Sequence, residues 1–210
     1  MARKRVAILI SGRGSNMAAL IEAAKNPAYP AEISLVVSNR PDASGLATAR
    51  SAGIANAVVD HAVHGKDRES FERALQAVLE DHRIDLVCLA GFMRLLTPWF
   101  VEQWQGRLLN IHPSVLPDFK GLHTHERALA AGAKNHGATV HFVVADMDAG
   151  PIIAQSTVPV LDGDTAETLA ARVLEAEHRL YPMALKLVAG EHARMIDGKC
   201  HIDIAGLTQK

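Results

Sequence analysis

Arg5-Val-Ala-Ile-Leu-Ile-Ser-Gly-Arg-Gly-Ser-Asn16 joins a strand-length apolar run to a glycine-bearing turn, and residues 15–24 beyond it carry helical spacing. A strand feeding a helix through such a turn is the opening unit of an α/β fold. Outward from it the alternation continues. Strands are expected at 32–38, 57–60 and 84–90, separated by helices at 44–52 and 67–81. That order implies a parallel sheet with crossover helices. A short helix after Pro98, a strand at 108–112, a helix at 123–131 and strands at 138–144 and 152–159 follow, then a long helix from Thr165 to about Ala189. Asp146-Met-Asp-Ala-Gly-Pro151 joins the last two strands without a helix, so they are expected to pair antiparallel.

The expected fold is a Rossmann-like open, mostly parallel α/β sheet, flanked by helices on both faces, with an antiparallel pair near the C-terminal end. Residues 1–190 read as one domain and 191–210 as a tail or hairpin appendage of it. With 210 residues the chain can bury a core without disulfides or metals. Lys and Arg total 22 against 23 Asp and Glu, and aromatics are 4%, which argues against nucleic acid as partner. The apolar runs are strand-length, so no membrane partner is expected. The basic start, Met1-Ala-Arg-Lys-Arg5, runs too soon into a turn to be a signal peptide, and the expectation is a cytoplasmic protein. Cys88 and Cys200 form no framework and read as reduced thiols. No oligomeric state follows from the sequence.

Three constellations carry chemistry. Ser11-Gly-Arg-Gly-Ser-Asn16 lies between strand and helix, where free N–H groups can hold a phosphate; the alternative is a plain turn capped by Ser15 or Asn16. The dinucleotide fingerprint is incomplete, with Met17 in place of the third glycine, and no Walker lysine is present. In Leu108-Leu-Asn-Ile-His-Pro113, strand alternation puts Asn110 and His112 on one face near the strand's C-terminal end, the edge where open parallel sheets bind ligands. They could equally satisfy loop backbone groups. Asp148 offers a carboxylate for a His–Asp unit, or is ordinary turn chemistry. His123 and His125, with His136 and His141 nearby, lack metal-site spacing, and no metal is expected. No G-x-S-x-G elbow or activated cysteine supports a covalent nucleophile.

Together these pieces resemble the folate-dependent phosphoribosylglycinamide formyltransferase family. The resemblance runs from Val6 to Ala189, through Ile8-Leu-Ile-Ser-Gly-Arg-Gly-Ser-Asn16, Leu89-Ala-Gly-Phe-Met-Arg-Leu-Leu96, Leu108-Leu-Asn-Ile-His-Pro-Ser-Val-Leu-Pro117, Gly121-Leu-His-Thr-His125 and Asp148-Ala-Gly-Pro151. It implies formyl transfer from 10-formyltetrahydrofolate, a co-substrate, to the amine of glycinamide ribonucleotide in purine biosynthesis. Asn110, His112 and Asp148 would be catalytic, and Gly14, Ser15 and Asn16 would hold the substrate phosphate through their backbone, with Glu177 also contacting that substrate. Met93, Arg94, Leu95 and Leu96, with Val144, Ala145, Asp146, Met147 and Asp148, would enclose the pterin beside Asn110, and Arg68 would lie along the rest of the folate. Core packing is the competing reading for Met93, Leu95 and Leu96, and a solvated helix face for Arg68. Asp118-Phe-Lys120 departs from the family's usual Lys-Tyr-Pro, so no role passes to position 118.

Two related activities compete. A formyltetrahydrofolate hydrolase would use water as acceptor and is expected to carry an extra N-terminal domain, whereas strand one here starts at residue five. A methionyl-tRNA formyltransferase is expected to add an RNA-binding domain that this length and charge do not accommodate. A non-catalytic nucleotide-binding module is the rival outside enzymology, separated by whether formyl-folate is consumed.

Overall fold

Residues 6–10 are all fully buried, as a strand covered on both faces must be. In the computed structural model, which describes residues 2–203, this run is the core of β1 (Lys4–Ile10). It is followed by α1 (Ser15–Ala24), β2 (Ala31–Ser38), α2 (Gly45–Ser51), β3 (Ala55–Val58), α3 (His61–His64), α4 (Arg68–Asp81) and β4 (Leu86–Leu89). The second half runs α5 (Pro98–Gln103), β5 (Leu108–His112), α6 (Thr124–Ala130), β6 (Asn135–Phe142), β7 (Ile152–Pro159) and α7 (Ala166–Ala189). Seven strands lie in the order β3-β2-β1-β4-β5-β6-β7. Alternation along β1 divides the core: Val6, Ile8 and Ile10 pack with Met17, Leu20, Leu180 and Tyr181, while Ala7 and Leu9 pack with Phe71, Leu75, Phe100 and Trp104. Helices α1 and α7 thus cover one face, and α4 and α5 the other.

The chain winds outward from β1 to β3, then returns to place β4 on the other side of β1. That reversal opens a crevice between the ends of β1 and β4, the place where doubly wound sheets bind ligands. The parallel registers pair Leu9 with Leu89 and Leu89 with Asn110, which sets His112 level with Ser11 two strands away.

Four local differences from the sequence reading have physical causes. Strand β3 ends at Val58, two residues earlier than expected, because Asp60 caps the single turn α3 by accepting from Ala62 N; that exposed turn had no periodicity to betray it. β6 starts at Asn135, three residues early, and ends at Phe142. Its opening Asn-His-Gly looks like a loop, yet His136 is 1% exposed, and a Cβ on Gly137 would fall 2.0 Å from Ser156 O, so glycine alone allows that pairing. β6 is antiparallel to β5 as well as to β7, so the reversal begins one strand earlier than expected. The short α6 packs on α7 without carrying the chain back across the sheet, and residues 113–134 stay at the ligand edge. Finally, α1 begins at Gly14 in the left-handed conformation with no side-chain cap, so neither Ser15 nor Asn16 caps it.

Beyond α7, β8 (Ala193–Ile196) and β9 (Lys199–Ile202) form an antiparallel hairpin through Asp197 and Gly198, both at positive φ as a two-residue hairpin turn requires. Residues 204–210, the end of the expected tail, lie outside the described residues. No described helix is long and apolar enough to cross a membrane.

Candidate active site

A cleft of about 420 Å³ opens where β1 and β4 end, lined by residues 11–16, Asn39, Arg40, His61, Met93 and Arg94 among others. Because no side chain caps α1, the N–H groups of its first turn remain available, and helix polarity favours an anion beside them. Gly14 makes this possible with φ 67°, a conformation that costs other residues about 1–2 kcal/mol. Asn16 is 8% exposed and turns inward: its Nδ2 donates to Glu177 Oε2 at 2.7 Å, while its Oδ1 has no partner. Burial raises the Glu177 pKa above the ordinary carboxylate value, and the Asn16 bond opposes that shift. The expected nucleotide-side residues therefore meet in one place.

The second cluster stands on the antiparallel half. Asn110 and His141 are direct partners across β5 and β6, so their side chains share a face, which alternation extends to His112 and Thr139. His112 Nδ1 lies 3.5 Å from Asp148 Oδ2, and His112 Nε2 donates to Phe119 O at 3.0 Å. Both ring nitrogens face acceptors, and only the imidazolium can donate to both. Asp148 sits at φ 49° in its turn, and its Oδ2 also accepts Gly121 N–H at 2.9 Å. The turn can lie this close to the sheet because residue 150 is glycine: a Cβ there would stand 1.7 Å from Phe142 O.

His141 is the member sequence reading passed over. It is 2% exposed, and burial lowers its pKa against the upward pull of the Phe142 carbonyl and Asp148. The neutral ring donates from Nδ1 to Phe142 O at 2.8 Å, leaving Nε2 to accept from Asn110 Nδ2 at 3.4 Å. Its 3.7 Å approach to Asp148 Oδ1 is accordingly not an ion pair. One amide hydrogen of Asn110 is fixed by this contact, and the other is aimed by it. Period-two spacing from Thr139 would have marked His141, but only the β5–β6 register reveals what it faces.

The expected folate residues divide. Met93 and Leu95 are 71% and 61% exposed, which removes core packing as their explanation; Met147 at 55% and Leu122 at 71% are also exposed apolar side chains. Leu122 was not among the expected residues. Leu96 instead packs against the core with Phe71 and Phe100. Arg94 lies 4.9 Å over the Phe71 ring and lines the cleft, and Val144, Ala145 and Asp146 belong to the Asp148 loop. Arg68 is exposed at the first turn of α4, without a hydrogen-bonding partner and outside the residues lining the cleft. His125 and His136 pack edge to face with centroids 5.2 Å apart, and among the described residues no group of three or more His, Cys, Asp or Glu could hold a metal.

An anion turn, an amide and an imidazole facing a carboxylate at one sheet edge suit acyl transfer. Residues 4–185 match the formyl transferase family model, and the chain belongs to that family. It is 43% identical to the phosphoribosylglycinamide formyltransferase of Escherichia coli (strain K12), over 94% of this chain and 93% of that relative. It is 54% identical to the trifunctional purine biosynthetic protein adenosine-3 of Gallus gallus over 88% of this chain, but spans only 18% of that longer protein. The solved phosphoribosylglycinamide formyltransferase of Brucella melitensis is 58% identical, with a TM-score of 0.85 over 89% of this chain and 96% of that one.

Proposed function

We propose that the protein transfers the formyl group of 10-formyltetrahydrofolate to the amine of glycinamide ribonucleotide, giving formylglycinamide ribonucleotide and tetrahydrofolate in purine biosynthesis. The observation that carries this reading is the common level of the anion turn after β1 and the Asn110–His112 face of β5, two strands apart in one sheet. A phosphorylated amine anchored at residues 14–16 can reach a formyl carbon held at Asn110. The exposed apolar side chains of Met93, Leu95 and Met147 suit a flat pterin, and the cationic Arg94 and Arg68 would suit its acidic tail. The partnerless Asn16 Oδ1 and the Glu177 carboxyl offer acceptors to a ribose or amine.

In the reaction the neutral amine attacks the formyl carbon, the new C–N bond forms, and negative charge grows on the formyl oxygen. Asn110 Nδ2 offers the hydrogen His141 does not use, and His112 offers a second donor, which requires the formyl oxygen to displace Phe119 O from Nε2. As the bond to the folate nitrogen breaks, that nitrogen takes up the proton the amine gives away, through His112 or water. Asp148 Oδ2 faces Nδ1 and aims the imidazole. Each such donor is worth about 10²–10³ in rate, and juxtaposing two substrates in one cleft supplies much of the rest. Mass analysis of products formed from 10-formyltetrahydrofolate with glycinamide ribonucleotide, methionyl-tRNA or water tests the reading. Formylglycinamide ribonucleotide is the expected product, and formate alone overturns it in favour of a hydrolase.

A further inference from the structure

Ser11 stands between the nucleotide and folate sides of the cleft, and its hydroxyl donates once and accepts once within the protein. The residue is 8% exposed; Oγ accepts Met93 N–H at 2.8 Å and donates its own hydrogen to Asn39 Oδ1 at 2.6 Å, while Ser11 N–H goes to Gly91 O at 3.2 Å. Asn39 is 3% exposed, and its carbonyl accepts from both the backbone N–H and Nδ1 of His61. The hydroxyl is thus held from behind with its lone pair presented to Met93. On one side of Ser11 the phosphate turn starts at Gly12; on the other, Met93 opens the exposed segment assigned to the pterin. The two strands that end here, β1 and β4, are neighbours in space, although Ser11 and Met93 stand 82 positions apart in the chain.

We propose that Ser11 is a positioning residue that couples the two ligand subsites, so that the nucleotide and the folate bind with positive cooperativity. This rests on the reading of the cleft given above. A phosphate on the first turn of α1 orders the chain just after Ser11. Through Oγ that order passes to Met93 N and the segment behind it, which then loses less freedom when the pterin lands. Linkage makes the effect reciprocal: folate tightens nucleotide by the same factor. Neither ligand needs to touch Ser11.

The test is calorimetric titration of tetrahydrofolate into the protein with and without saturating glycinamide ribonucleotide, and the reverse. One hydrogen bond of ordinary net strength supports about 5–10-fold tightening in the unaltered protein. In Ser11→Ala the factor should fall below about twofold while each ligand alone still binds, and Ser11→Thr, which keeps the hydroxyl, should restore it. A residue serving only the fold would instead weaken both ligands separately and leave the ratio intact. If Ser11→Ala fails to fold, Ser11→Cys keeps a side chain with a poor acceptor and carries the same expectation. An undiminished factor in either variant, or no cooperativity in the unaltered protein that binds both ligands, overturns the coupling role. Failure of the unaltered protein to bind either ligand instead removes the functional reading, and the coupling with it.

Discussion

The two halves of the sheet contribute to the site in different currencies. On the parallel side, β1 and α1 offer backbone: a left-handed glycine, uncapped N–H groups and a helix end. On the antiparallel side, β5 and β6 offer side chains whose value comes from facing each other: Asn110 against His141, and His112 against the Asp148 carboxylate. Binding by backbone tolerates side-chain change wherever φ is ordinary, whereas chemistry by facing side chains tolerates almost none.

The contrast is sharpest at Asp148. Asp148→Asn keeps the shape and the Gly121 contact but removes the charge that faces His112, and turnover should fall about 10²–10³-fold with little change in KM. Steady-state kinetics for the two substrates would expose the alternative, a rise in KM at constant turnover. On the parallel side, Gly14→Val forces a branched residue to φ 67° and sets its Cβ 3.1 Å from Met17 Cε, so nucleotide affinity should drop by about tenfold or more through backbone strain. Ser15→Ala next door should change affinity less than about twofold, and a large loss there would break the backbone account.

Glu177→Gln separates binding from stability. Because the folded carboxyl has a raised pKa, its ionisation opposes folding, so stability falls as pH rises from about 4.5, the ordinary value, through the raised one. The variant should melt about 2–4 °C higher at pH 7, keep no such gain near pH 4, and bind nucleotide more weakly, as calorimetry and thermal melts would report. His136 gives the opposite slope. Burial lowers its pKa from 6.5 to about 4, with the neighbouring His125 and His112 adding to the shift, so the unfolded chain binds a proton the folded one resists. Stability is full above about pH 6.5 and declines as pH falls towards 4; melting curves of His136→Phe across that window should be flatter, and unchanged curves would clear His136 of the effect.

The same divide explains what the sequence disclosed. The strand, glycine turn and helix of residues 5–24 are local, and helix α1 falls where periodicity puts it. Asn110 and His112 were legible because two residues apart on a strand means one face. His141 was not, since its meaning depends on a pairing 31 residues away, and the opening of β6 was hidden because His136 and Gly137 are polar or small yet buried by tertiary contacts. Exposure sorted Met93 and Leu95 from Leu96, a distinction that the letters of Met93-Arg-Leu-Leu96 cannot carry.

The bond between Asn16 and Glu177 also has a meaning in time. It spans 161 residues, and Tyr181 of the same helix reaches the carbonyls of Leu89 and Leu109 from its fully buried hydroxyl. At about 5–20 residues per second, a ribosome delivers α7 roughly ten to thirty seconds after α1. During that interval Val6, Ile8 and Ile10 lack the helix that covers them, and the nascent chain carries an apolar sheet face for chaperones to shield. The Asn16–Glu177 contact cannot form in any partial chain that stops short of α7: the first turn waits for the last helix to supply its partner.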